Sequence, residues 1–145
     1  MRWLVTMFAL VPVLALAGEG VESRLCAAAV NDGALAIEVE ALMDQGTFPF
    51  VRAEDMLTMN CAGESLLQRI ILASQAENLE YAVIDMGANV NAPLITQEGG
   101  KLSLAQYLMQ QAVLAPSAEA RAFAMDYMQE LRDTDFNPLL SITMN

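Results

Sequence analysis

Apolar residues recur at three- and four-residue intervals along most of this chain, a spacing that places them on one face of an α-helix. The clearest case runs from Ser117 to Arg132, where Phe123, Tyr127 and Leu131 follow one another at four-residue spacing. Between the periodic segments lie turns rich in Gly, Asn and Pro. The pattern predicts helices over residues 21–30, 35–43, 65–74, 77–86, 103–113 and 117–132, with a single helical turn near 54–59.

Two of these predicted helices begin with the same signature. The tetrapeptides SLLQ from Ser65 and SLAQ from Ser103 both fit a capping box, in which the Ser hydroxyl and the Gln side chain satisfy unpaired backbone amides. They lie 38 residues apart, and the turns 87–92 and 133–138 also correspond, with a weaker third copy beginning at Gly46. This recurrence indicates stacked helix pairs, since one such pair cannot bury its apolar face alone.

A known family shares part of this pattern. Residues 78–92, NLEYAVIDMGANVNA, resemble the second helix and following turn of an ankyrin repeat, whose pattern ends in G-A-D-V-N-A. Residues 63–67 (GESLL) and 100–104 (GKLSL) are similar to the G-x-T-P-L opening of that repeat, and residues 33–46 resemble the second half of an earlier unit. The chain departs from the family in two ways. It has no His for the T-P-L-H motif, and its repeated units lie farther apart than the repeat period of about 33 residues.

The resemblance implies an all-α fold, a short solenoid of about three ankyrin-like helix pairs with turn-rich connections. An irregular helical bundle is the alternative. Ankyrin-like arrays typically bind proteins through exposed turns and inner helices, so the resemblance also implies a non-catalytic protein-binding module. Fold similarity does not by itself establish function, because function depends on particular sites.

The first 17 residues have the pattern of a signal peptide. Arg2 provides a positive charge, Trp3–Leu16 is a largely apolar run, and Ala15-Leu16-Ala17 fits an A-x-A cleavage site. We therefore expect residues 1–17 to be removed and residues 18–145 to form a single exported domain, periplasmic or secreted. The apolar run is shorter than the about 20 residues of a transmembrane helix, so no stable membrane anchor is expected.

The expected mature chain contains two cysteines, Cys26 and Cys61. An even number of cysteines in an exported protein favours pairing, and two cysteines allow only one intramolecular disulfide. Free buried thiols or an intermolecular disulfide are the alternatives.

Charge and composition restrict the function further. The formal net charge of the whole chain is −11, which disfavours binding to nucleic acid and would attract a basic protein partner. The chain has no histidine, which removes the usual general base at neutral pH and the commonest zinc ligand. We therefore predict that the protein is not an enzyme and needs no cofactor or metal.

Candidate partner-binding residues fall into two groups. The first is an acidic cluster with only Arg52 nearby: Glu38, Glu40, Asp44, Glu54 and Asp55. It is either a solvated helix face or a surface that steers a basic partner. The second group is apolar and lies in turn-rich connections: Phe48, Phe50, Leu94 and Ile95. These side chains either anchor a partner or fold back over the core.

Two alternative functions are compatible with the sequence. An acidic exported protein of this size could be an immunity or inhibitor protein that neutralises a basic toxin or hydrolase. Alternatively, Met56, Met59 and Cys61 offer soft ligands that select Cu(I), although methionines at such spacing usually fill a core. The run from Asp133 to Asn137 imitates the start of a calcium loop, but Pro138 replaces the expected glycine, and a helix end with a turn is the preferred interpretation.

Overall fold

The computed structural model describes residues 20–133, so the predicted signal peptide and the turn after residue 133 lie outside the described residues. The elements in chain order are α1 (Val21–Ala28), α2 (Ala34–Asp44), α3 (Ala53–Leu57), β1 (Asn60–Cys61), β2 (Glu64–Ser65), α4 (Leu66–Leu72), α5 (Ala76–Glu80), β3 (Pro93–Gln97), β4 (Gly100–Ser103), α6 (Leu104–Leu114) and α7 (Ala118–Asp133). A π-helical turn, Tyr81–Asp85, continues α5. The predicted helices are therefore present, with shifted ends.

The larger helices pack as consecutive pairs. Helix α1 contacts α2, α4 contacts α5, and α6 contacts α7. Across the pairs, α1 packs on α4, α2 on α5, and α4 on α7. Successive pairs therefore share one hydrophobic core instead of forming separate domains.

Two antiparallel hairpins make the fold mixed α and β, and the prediction of an all-α solenoid was wrong. Strand β1 pairs with β2, and β3 pairs with β4. Each hairpin has a two-residue loop in which glycine adopts a positive φ, +97° at Gly63 and +95° at Gly99. That conformation lets the chain reverse in two residues, and the strand pairing then satisfies backbone groups of a segment predicted to be turn.

Each hairpin leads directly into a capped helix, and both predicted capping boxes are confirmed. The Ser65 hydroxyl accepts a hydrogen bond from the Gln68 amide at 3.1 Å, while the Gln68 side chain accepts one from the Ser65 amide at 2.8 Å. Ser103 and Gln106 repeat this arrangement at 3.2 and 3.0 Å. The recurrence in the sequence therefore reflects a repeated hairpin-to-helix junction.

The core is one continuous cluster of aliphatic side chains. Its largest fully buried members are Leu25, Leu35, Leu42, Met56, Leu57, Leu66, Leu67, Ile70, Ile71, Leu79, Ile95 and Leu104. All three helix pairs contribute to this set, as do α3 and β3, but the pair α6–α7 supplies only Leu104. Helix α4 supplies four of these residues and therefore lies at the centre of the core.

Cys26 of α1 and Cys61 of β1 form the predicted disulfide, with Cα atoms 5.6 Å apart. The bridge spans 35 residues of sequence and joins the first helix to the hairpin that precedes α4. It thereby holds the first helix pair against the second, and the prediction that these two cysteines pair is confirmed.

Candidate functional site

Helix α2 presents an exposed face that carries both carboxylates and apolar side chains. Leu35, Val39 and Leu42 point into the core. Ile37, Glu40 and Asp44, spaced at i, i+3 and i+7, therefore lie on the opposite side, and the Ile37 side chain is 71% exposed. Met43, three residues after Glu40, is 51% exposed. The exposed side of α2 thus offers apolar contact area beside unburied carboxylates.

This face extends onto the π-helical turn that continues α5. Helix α2 packs on α5. Burial raises the pKa of the Tyr81 hydroxyl, and the charges of Glu40 and Asp85 raise it further, so carboxylates of both segments act on the same hydroxyl. Ile84, next to Asp85, is 66% exposed. We call this combined surface the acidic face, defined by Ile37, Glu40, Met43 and Asp44 of α2 with Ile84 and Asp85 of the π-helical turn.

Some members of the predicted acidic cluster make contacts within the protein, and others are exposed without such contacts in the described part of the chain. Glu38 forms an ion pair with Arg24 of α1, and Asp55 forms one with Arg52 at 2.7 Å, which lowers the pKa of Asp55. Glu54 accepts a hydrogen bond from the Asn89 amide at 3.0 Å. Within residues 20–131, Glu40 and Asp44 are the two members that form neither an ion pair nor a side-chain hydrogen bond.

The four apolar candidates are drawn largely towards the core. The rings of Phe48 and Phe50 pack edge to face, with centroids 5.5 Å apart, and both are half-buried against the core. Leu94 is nearly buried, and Ile95 is fully buried. Of these four, only the two phenylalanines offer surface to a partner, and the acidic face contributes apolar contacts that the sequence interpretation missed.

A second candidate site is a cavity of about 250 Å³ between α5 and α7. It is lined by Ala76, Glu80, Phe123, Asp126, Tyr127 and Glu130. The rings of Phe123 and Tyr127 are stacked, with centroids 6.2 Å apart. Sequence reasoning treated this face of α7 as core, although acidic residues at positions 126 and 130 interrupt its apolar pattern and could have indicated a partly open site.

A polar cleft of about 370 Å³ lies beside the two hairpins. Its lining includes Glu64, Gln68 and Lys101 together with threonine and serine hydroxyls. Tyr107 lies nearby, and its pKa is raised to about 12. Burial is the main cause and the charge of Glu64 adds to it, while a hydrogen bond with Gln68 partly opposes both. The cleft offers polar contacts, but its lining residues do not form the nucleophile–base arrangement of a hydrolytic site.

The disulfide changes the interpretation of the methionine-rich segment. Cys61 is bonded to Cys26 and has no thiolate to offer a metal, while Met56 is fully buried in the core. Over residues 20–131 there is also no group of three or more Cys, Asp or Glu residues placed to hold a metal ion. The copper alternative therefore loses its strongest ligand.

Comparison with known proteins identifies no relative, since no protein-family model, curated protein or solved structure matches this chain. The resemblance of residues 78–92 to an ankyrin repeat stays a prediction. Among the helices of residues 20–133, none combines the length and the apolar character needed to cross a bilayer.

Proposed function

We propose that this chain is a non-catalytic binding module for a basic protein partner, acting in the periplasm or outside the cell. The observation that carries the proposal is the acidic face, where Glu40 and Asp44 form no ion pair with any residue from 20 to 131 and lie beside the exposed side chains of Ile37 and Met43. In the described part of the chain, Arg24 pairs with Glu38 and Arg52 pairs with Asp55, so these two arginines do not pair with Glu40 or Asp44.

Charge and apolar area contribute differently to such a contact. The net charge of −11 favours encounter with a basic surface and raises the association rate at low ionic strength. Burial of Ile37, Met43 and Ile84 would supply the apolar centre that holds a complex together once it has formed. The combination favours a protein partner over a small charged ligand, which would not cover exposed aliphatic side chains on two helical segments.

The non-catalytic and exported parts of the proposal have separate support. The absence of histidine from the whole chain removes the usual general base at neutral pH. The signal-like pattern of residues 1–17 and the disulfide both favour an oxidising compartment. Neutralisation of a basic toxin or hydrolase is a narrower form of the same proposal, and it rests on charge and size.

The proposal is tested by affinity capture from the native extracellular or periplasmic fraction, at low and at high salt. The double variant Glu40→Gln/Asp44→Asn serves as the test bait. The charge-matched control is Glu98→Gln/Glu119→Gln, which removes two exposed carboxylates elsewhere. A photo-crosslinking residue in place of Ile37 reports whether the partner touches the acidic face.

We expect a basic partner that is captured by the wild-type and control baits, lost at high salt, and depleted by about tenfold or more with the test bait. A crosslink from position 37 to that partner supports the face directly. Capture that is equal for the test and control baits would contradict the assignment of the face. The absence of any reproducible basic partner would contradict the function itself.

A further inference from the structure

The cavity between α5 and α7 combines negative charge with an aromatic wall. On α7, Phe123, Asp126, Tyr127 and Glu130 follow the i, i+3, i+4, i+7 spacing that places them on one helix face. Across the cavity, α5 contributes the Glu80 carboxylate, while the small side chain of Ala76 leaves the space open.

Among residues 20–131, no cationic side chain pairs with the three carboxylates of the cavity. Glu80, Asp126 and Glu130 are exposed, and none of them forms an ion pair with another residue in the described part of the chain. Arg121, on the same helix, donates instead to the Ala115 carbonyl at 2.8 Å. Within the described residues, the site therefore places negative charge without an ion-pair partner beside two stacked rings.

Tyr127 adds a polar atom to the cavity. Its side chain is only 7% exposed and lines the cavity, yet its hydroxyl forms no hydrogen bond with any residue from 20 to 131. Burial raises the pKa of this hydroxyl, and the charges of Glu130 and Glu80 raise it further, so it keeps its proton and faces the same carboxylates. The hydroxyl can therefore serve as a hydrogen-bonding group for a ligand in the cavity.

We propose that this cavity binds the guanidinium group of an arginine side chain on the basic protein partner. The inference rests on the proposed function and names the chemistry of one contact. A guanidinium is planar, donates to carboxylates in a fork, and stacks on aromatic rings, which matches a wall of Phe123 and Tyr127 flanked by carboxylates on both helices. The volume of about 250 Å³ lies below the range of drug-sized ligand pockets and suits a single side chain.

The experiment is an NMR titration of the isotope-labelled protein with N-acetyl-arginine methylamide. The citrulline analogue has the same shape without the charge, and the lysine analogue has the charge without the planar fork. The protein variants are Glu80→Gln/Glu130→Gln, Tyr127→Phe and the charge-matched control Glu98→Gln/Glu119→Gln. The dispersion of each variant's spectrum verifies that it is folded.

We expect saturable shifts at residues of α5 and α7, about tenfold weaker binding of both analogues, and a similar loss in the Glu80→Gln/Glu130→Gln variant. Tyr127→Phe should weaken binding by about threefold and the control variant by less than about twofold. If the citrulline analogue bound as tightly as the arginine derivative, the electrostatic basis of the site would be wrong. If the lysine analogue did so, the assignment to a guanidinium would be wrong. Shifts confined to residues outside the cavity would contradict the location of the site.

The same variants separate this inference from the proposed function. If Glu80→Gln/Glu130→Gln still captures the basic partner at wild-type level, the arginine site is wrong while the binding function stands. If neither wild-type protein nor any variant captures a basic partner, the function fails, and saturable arginine binding would then identify a site without its proposed biological use.

Discussion

The side-chain oxygen of Asn78 accepts a hydrogen bond from the backbone amide of Leu35 at 3.1 Å, across 43 residues of sequence. The amide nitrogen of the same side chain donates to the carbonyls of Ala28, Ala29 and Asn31 at 2.9–3.2 Å. Asn78 is fully buried, so one side chain of α5 satisfies the backbone at the turn between α1 and α2. This contact fixes the second helix pair against the first.

We predict that Asn78→Ala lowers the free energy of unfolding by about 3 kcal/mol, because it leaves the buried Leu35 amide and Ala29 carbonyl without a partner. Asn78→Asp should be at least as damaging, since it places a carboxylate oxygen where the amide nitrogen now donates to three carbonyls. Urea denaturation measures both changes. Gln129→Ala, at an exposed position of α7, is the control and should change stability by less than about 0.5 kcal/mol. A small effect of Asn78→Ala would show that water replaces the side chain.

Reduction of the Cys26–Cys61 disulfide should lower the free energy of unfolding by about 3–4 kcal/mol, because the bridge closes a loop of 35 residues in the unfolded chain. The measurement is denaturation with and without a thiol reductant. In the Cys26→Ala/Cys61→Ala variant, the reductant should have no effect. If the reductant destabilised that variant to the same extent, its action on the wild type would not come from the bridge.

The β1–β2 loop contains a residue whose backbone conformation suits another side chain better. Ala62 has a φ of +58° and is followed by Gly63 at +97°, which is the pattern of the turn type that prefers Asn-Gly. Since Ala62 is exposed, Ala62→Asn should raise the free energy of unfolding by about 0.5–1 kcal/mol without disturbing other contacts. Thermal denaturation compares it with Ala118→Asn, at the first residue of α7, where no such gain is expected. A loss of stability in Ala62→Asn would contradict this turn geometry.

Alkaline pH should destabilise the protein through its buried tyrosines. The folded-state pKa of Tyr107 is about 12, above its value of about 10 in an unfolded chain. The folded protein therefore keeps this proton over a range in which the unfolded chain loses it. The contribution is complete below pH about 10 and is lost as the pH rises through about 12. The pKa of Tyr127 is raised in the same direction.

A titration followed by tyrosinate absorbance should therefore show the buried tyrosines ionising at a higher pH than a free tyrosine. The free energy of unfolding should fall above pH about 10. Tyr107→Phe should reduce that pH dependence while keeping most of the buried ring packing. Titration of all three tyrosines at the ordinary value, with the protein still folded, would contradict the burial of Tyr107 and Tyr127.

The sequence was sufficient wherever a structure depends on neighbouring residues. Ser65 and Gln68 are three residues apart, so their reciprocal capping could be read from spacing alone. The helical segments follow from apolar periodicity, and the pairing of Cys26 with Cys61 follows from a count of two. In contrast, the β3–β4 hairpin was assigned to a turn-rich segment, although Gly99-Gly100 after Ile95 and Thr96 is a recognised hairpin signal.

The sequence by itself therefore determined the helices, their caps, the disulfide and the negative charge of this protein, because each depends on local spacing or on composition. Only the tertiary structure decided which acidic residues form ion pairs: Arg24 reaches Glu38 from another helix, while Glu40, on the acidic face, pairs with no residue from 20 to 131. It also decided that Glu80 meets Tyr127 across a cavity. Contacts between residues distant in sequence depend on how helices pack, and side-chain periodicity specifies a buried face without specifying which neighbour covers it.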